Sequence, residues 1–473
     1  MTAVQCERIN RSMQSLIYPV TRRRTIPVYV AISFYASCAP IAVIGTFQHL
    51  LPIPSSVLLT FLTCLLFILV LMTEREVLSL KEMNRIGLLM VGAVTLPALL
   101  SLLGVVFALS SIQSAEYLAY MEQSLLNRLI NLTMYSLLSI CLLTFLYKNA
   151  HQTTTSLMYG YTIGTIILTA GGVWQFLHFT IGYPMPGFET RAYVHSVNND
   201  VLFNFRLTSF TDEPSFLVPF LIDGLIIGGL LLTRKTYIAF ASFAVLVLVL
   251  SFSVSGYINL AIVGLTTFLL LVLRKNVPKK FFLNGALSAI GIALTAFTVF
   301  PQLFTALFMP ILGRLDGLFD VMHHSRLYML VFPFIWLFDY SPFNTLLGFG
   351  PGSYDFLART KFLSHQGAVS GTSNNVFVDL LFEHGLVGGL IFTLAFLVVA
   401  TYLWKARNNH LYYSVAFVLW IHLGVTSLYR ADFASPRFWL IIVIVAGLTE
   451  LARQKISIAS QKSTLLKAKV TTS

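Results

Sequence analysis

Charge is scarce in this chain: Asp, Glu, Lys and Arg make up 11% of its 473 residues, while 56% are hydrophobic. That balance lies far outside the range of a soluble globular protein and holds along the whole length rather than in one block. It excludes a soluble fold and points to an all-α integral membrane protein. Cysteine is also sparse, with four in all. Cys6 falls in a cytoplasmic segment and Cys38, Cys64 and Cys141 in expected spans, so no structural disulfide is expected. No internal repeat stands out, which disfavours the repeated halves of secondary transporters. "YASC" at 35–38 faintly resembles a lipoprotein cleavage site, but the polar start is long and the apolar run continues to Phe47. It reads as an uncleaved first span.

What the chain has in abundance is apolar runs of about 20 residues, the length that crosses a bilayer. They recur twelve times, at 27–47, 53–72, 86–109, 128–147, 156–179, 214–233, 236–254, 256–273, 282–308, 384–404, 411–428 and 438–452. About 12 transmembrane helices in a single polytopic domain, 1–473, are expected. The net charge of +12 does not call for a nucleic-acid partner, because Lys and Arg in a membrane protein first report orientation. With the N-terminus inside, most basic residues fall in cytoplasmic segments, and both termini are assigned there, with 453–473 a basic tail, disordered or facing lipid. The exceptions are Arg128, Arg191, Arg206, Arg314, Arg326, Arg359, Lys361, Arg430 and Arg437. All but one are arginines, and on the translocated side an arginine needs a partner.

Most loops are short, and the two long ones are both periplasmic, 180–213 and the larger, late 309–375. Within the second, "RLYMLVFPFIWLFDY" (326–340) is aromatic and too short to cross comfortably, so it is expected as an amphipathic helix along the outer surface or over the helix ends.

The first long loop ends "FNFRLTSFTDEPSFLVPF" (203–220), which places Arg206, Asp212 and Glu213 at the head of a span. Pro214 suits a first helical turn and acids beside it are favoured by the dipole, so a simple helix cap is one reading. "HHSRLYML" (323–330) brings Arg326 beside an apolar stretch, where a lone charge needs an anion or a wet cavity. "LLGFGPGSYDFL" (346–357) forms a tight turn whose amides could approach an anion, though such turns more often serve as punctuation. In "SGTSNNVFVDLLFEHGLVGG" (370–389), Asn375, Asp379 and Glu383 are four apart and form one polar stripe on a helix. It is either an interhelical hydrogen-bond seam or the lining of a cavity shared with the loop arginines.

The order of "R…EPS" heading a span, then "SR" and "GFGPGSY", then "SNN" nine residues before "GLVG" in a late span, resembles the O-antigen ligase and polymerase (Wzy-like) membrane family over about 200–400. The resemblance implies inverting glycosyl transfer on the periplasmic face of the bacterial inner membrane, with no metal or other cofactor, from a polyprenyl-pyrophosphate-linked oligosaccharide. It implies Arg206 and Arg326 on the donor pyrophosphate, with Arg191 and Arg314 as auxiliaries; guanidinium groups bind such oxygens bidentately. Where ligases carry a His in the late motif this chain has Asn374, which cannot take a proton at neutral pH. The base is then Glu213 first, with Asp212, His365 and Asp379 behind it. Asn374, Asn375 and Asp379 shape the acceptor side, and Tyr328 and Trp336 guide the lipid or stack on sugar. The missing His favours a polymerase, acting on two lipid-linked repeat units, over the ligase to lipid A core. Membrane lipids and a chain-length regulator are its expected partners. A flippase or exporter of lipid-linked sugars and a membrane scaffold are the alternatives from other classes.

Overall fold

The computed structural model describes residues 26–41, 55–73, 83–186, 205–273, 298, 326–361 and 372–471. Among them there is no strand, and the protein is an all-helical, membrane-embedded protein. In chain order the helices are α1 (Ile26–Cys38), α2 (Ser55–Thr73), α3 (Arg85–Ser111), α4 (Ala115–Tyr120), α5 (Leu126–Lys148), α6 (Ala150–Ile181), α7 (Pro214–Leu231), α8 (Arg234–Leu250) and α9 (Val254–Val272). The short α10 (Arg326–Trp336), α11 (Pro342–Leu347) and α12 (Tyr354–Lys361) follow, then α13 (Val376–Ala406), α14 (Leu411–Ser427) and α15 (Pro436–Thr471). A π turn, Met121–Leu125, joins α4 to α5.

Among the described residues, six helical stretches are long and apolar enough to cross a membrane: α3, α4 through α5, α6, α7, α9 and α13. Three shorter apolar helices lie at Pro27–Cys38, Ser56–Met72 and Leu411–Ser427. Where it is described, each apolar run expected from the sequence coincides with a helix, save 282–308, of which 298 alone is described. Of the two readings of the basic tail, the disordered one does not hold, since 453–471 continue α15. A helix already nucleated by a buried segment extends readily through residues such as Gln, Lys, Leu and Ala.

Small residues set how closely the helices pack. Gly160 and Gly164 on α6 face α1 so closely that an added Cβ would meet the Ser33 and Ser37 carbonyl oxygens. This is the close backbone approach that glycines four apart permit in membrane helices. Cys38, Cys64 and Cys141 are free thiols.

The glycine-rich turn after α11 is wedged into a break in α13. Gly385 takes φ 70° and ψ −175°, which interrupts the helix just past Glu383, the last residue of its polar stripe. Phe349 N–H donates to the Phe382 carbonyl at 3.4 Å, and Gly350 N–H to that of Glu383 at 3.0 Å. Tyr117 and Tyr120 in turn donate to the Phe349 and Pro351 carbonyls at 2.9 and 3.1 Å. A Cβ on Gly348 would strike the Glu383 carbonyl oxygen, and one on Gly385 that of Leu346. The turn is therefore an interlock, with the Phe349 and Gly350 amides occupied by protein carbonyls rather than open to an anion. A compact aromatic core of Tyr117, Tyr120, Trp336, Phe349, Phe356 and Phe382 surrounds it.

Candidate functional site

The residues that head α7 and α13 lie at one end of the bundle, joined by the turn between α14 and α15. Asn375 caps α13, its Oδ1 accepting from Phe377 and Val378 N–H, while its Nδ2 donates to the Leu428 carbonyl at 3.0 Å. Two residues on, Arg430 donates to the Phe216 carbonyl in the first turn of α7 at 3.1 Å and lies over the Phe216 ring. Between them, Tyr429 accepts from Asn259 of α9 at 2.9 Å. Burial pushes its phenol up to about 12, so it is neutral at physiological pH. The structure thus brings Glu213 and the Asn374–Asn375 turn to the same end, bridged by 428–430.

Glu213 is the backbone N-cap of α7: its carbonyl accepts from Phe216 N–H at 2.9 Å, and its carboxylate accepts from the Ser215 hydroxyl at 3.2 Å. Asp212 beside it is half-buried. Arg206 reaches sideways across the α8–α9 turn and donates to the Ser251 and Phe252 carbonyls at 3.3 and 3.4 Å. Asp379 accepts from Ser373 N–H at 2.8 Å, which closes the 373–375 turn from below.

The segments carrying these groups hold unusual backbone. Among the described residues, the non-glycine residues with positive φ are Ser209 (53°), Phe252 (44°) and Asn374 (58°). Ser209 lies between Arg206 and Glu213, Phe252 accepts from Arg206, and Asn374 belongs to the late motif. Asn is among the few side chains that tolerate this left-handed region.

The polar stripe of α13 finds its cation in an unexpected place. Glu383 is fully buried and faces Arg128 of α5 at 3.5 Å, whose guanidinium also lies 4.7 Å from the centre of the Phe433 ring. Asn375 and Asp379 bind turns at the helix head, so the stripe acts as an interhelical and local hydrogen-bond seam.

Arg430 and Arg437 also acquire partners, through residues the sequence did not single out. Asp223, midway along α7, accepts from Arg437 Nε and Tyr161 Oη at 2.7 Å on one oxygen and pairs with His422 Nδ1 at 2.7 Å on the other. Arg437 Nη1 reaches Asp432 at 2.8 Å, and Arg430 Nε reaches the other Asp432 oxygen at 2.7 Å. Two carboxylates thus balance two guanidinium groups in a region where an unpaired charge would be costly. A lone Asp in the apolar run 214–231 and a lone His in 411–427 were the available signals.

Of the remaining expected site residues, Arg326 and Tyr328 are placed as the first turn of α10. Trp336 ends α10 and is 8% exposed, its ring packed against Phe332 within the aromatic core. Arg191, Arg314 and His365 lie outside the described residues. Compared with known proteins, the chain matches no family model and no curated sequence.

Proposed function

We propose that the protein is an inner-membrane polysaccharide polymerase of twelve spans, with both termini cytoplasmic and the α7 and α13 heads on the periplasmic side. It transfers a polyprenyl-pyrophosphate-linked glycan to a sugar hydroxyl of a second lipid-linked repeat unit. The supporting observation is the backbone strain: Ser209 and Asn374 fall on the turns that carry the sequence-predicted groups, and Phe252 on the turn whose carbonyls accept from Arg206. Sparsely populated backbone of this kind persists where surrounding structure over-determines it, and it concentrates at functional sites.

In this reaction the acceptor oxygen attacks the anomeric carbon from the face opposite the pyrophosphate. The C1–O bond to the pyrophosphate breaks, its electron pair leaves with the phosphate oxygen, and the configuration inverts. The hydroxyl proton passes to the Glu213 carboxylate, and polyprenyl pyrophosphate departs. Arg206 and Arg326, with Arg191 and Arg314 as auxiliaries, neutralise the charge that develops on the leaving group. Asn374, Asn375 and Asp379 hold the acceptor turn, and His365 and Tyr328 are assigned to binding the acceptor or its lipid.

A ligase differs only in its acceptor. A lipid-linked oligosaccharide exporter is favoured by one observation: Asp223 lies about 14 Å along α7 from Pro214, deep in the bundle. Its ion pairs with Arg437 and His422 are, however, fully buried and closed on themselves, which suits a structural clamp better than a pathway.

Expression of Arg206→Ala and Arg326→Ala in a strain lacking the protein, with the surface polysaccharide displayed on a gel, separates these activities. The polymerase predicts single repeat units on the surface. Bare core with accumulated lipid-linked polymer would indicate a ligase, and unpolymerised units retained inside the cell an exporter. A normal ladder from well-expressed variants would refute the site.

A further inference from the structure

The geometry points to Gln175 of α6 as the positioning residue of the Arg206–Glu213 turn, an assignment that rests on the proposed transfer reaction. Gln175 is 3% exposed and both ends of its amide are engaged by that turn. Its Oε1 accepts from Thr208 N–H and Ser209 N–H, each at 2.8 Å, and its Nε2 donates to Thr208 Oγ1 at 3.0 Å. Leu168, Gly171 and Gln175 occupy one face of α6, and all three receive the turn: Ser209 Oγ donates to the Leu168 carbonyl at 2.6 Å, and a Cβ on Gly171 would press on Phe210 and Ser209.

Successive N–H groups around a left-handed residue form a concave nest that favours an anion. Ser209 is that residue here, with φ 53°, and a neutral amide oxygen fills its nest. Gln175 therefore does two things at once. It fixes the left-handed turn that sets the spacing of Arg206 from Glu213, and it keeps a phosphate oxygen from settling three residues away from the guanidinium meant to bind it. Arg206 is held from the other side by the Ser251 and Phe252 carbonyls, and Leu207 N–H donates to the Leu250 carbonyl at 3.0 Å. The turn is thus clamped between α6 and the α8–α9 corner.

The test is turnover of the purified full-length protein in lipid nanodiscs, supplied with a polyprenyl-pyrophosphate-linked repeat unit. Gln175→Leu matches the shape but leaves both N–H groups unanswered, and kcat is expected to fall on the order of 10- to 100-fold, since small misplacements of reacting groups have effects of that size. Gln175→Glu retains an acceptor for the nest and is expected to stay within about 3-fold of wild type, because a nest accepts an anion readily. A merely structural role would lower the yield and melting temperature of both variants and leave kcat per folded molecule unchanged. Should Gln175→Leu fail to fold, Gln175→Asn packs in the same place but is too short to serve both N–H groups, and kcat is again expected to fall. Wild-type kcat in whichever of these folds, or a loss in Gln175→Glu as deep as that in Gln175→Leu, overturns the assignment. Arg206→Ala, run alongside, separates the two failures. If it turns over normally the transfer site itself is wrong; if it is inactive while Gln175→Leu is normal, only the role of Gln175 is lost.

Discussion

At the scale of single residues, Asp223 is the most constrained group among those described. It is fully buried, takes Tyr161 and Arg437 on one oxygen and His422 on the other, and answers a guanidinium that is itself fully buried. Removing one partner of such a pair leaves an uncompensated charge, so Asp223→Asn is expected to destabilise the protein by about 3–5 kcal/mol in detergent unfolding. In a double-mutant cycle with Arg437→Met, the double variant should lose clearly less than the sum of the two singles. Strict additivity would show that the two groups do not pair. Arg430 and Arg437 were visible in the sequence as translocated-side arginines lacking a partner. Asp432 lies within five residues of both, but Asp223, the other partner of Arg437, was not legible, because it lies 214 residues away and the pairing depends on how α7 packs against α14 and α15. Gln175 was invisible for the same reason: nothing local distinguishes a buried glutamine that serves a distant turn.

At the scale of elements, the break in α13 couples the late loop to the polar helix. Gly385 and Gly348 share one contact in which each backbone occupies the place of the other's missing side chain. Gly385→Ala combines a left-handed backbone with a backbone collision and is expected to cost more than the roughly 1–3 kcal/mol of the conformation alone. Gly264→Ala, on α9 with open space around it, should be neutral or stabilising by up to about 1 kcal/mol. Thermal unfolding of both variants checks the pair, and equal effects would mean that the interlock carries no stability. "GFGPG" read correctly as a tight turn. That its amides serve the carbonyls of a broken helix could not be seen, since the periodicity of 376–406 is that of one continuous helix.

At the scale of the whole molecule, apolar runs carried most of the architecture, because a bilayer demands continuous helices and their lengths are written in composition. The short helices of the late loop were legible only as one aromatic surface segment, since neither their length nor a simple pattern separates them from loop. The proposed orientation makes its own prediction. With the native cysteines replaced by serine, Ser110→Cys at the end of α3 should react with a membrane-impermeant thiol reagent in intact cells. Asn408→Cys, between α13 and α14, should react only after permeabilisation. The reverse pattern would place the α7 and α13 heads in the cytoplasm and exclude a periplasmic site.

The most direct measurement is made on purified protein in nanodiscs given only a polyprenyl-pyrophosphate-linked repeat unit, counting the polyprenyl pyrophosphate released against the sugar linkages formed. The account predicts one released carrier for each new linkage, with loss of both products in Arg206→Ala and Glu213→Gln. Linkages that persist undiminished in those two variants, or a wild-type protein that leaves the lipid-linked sugar chemically unchanged, would contradict it.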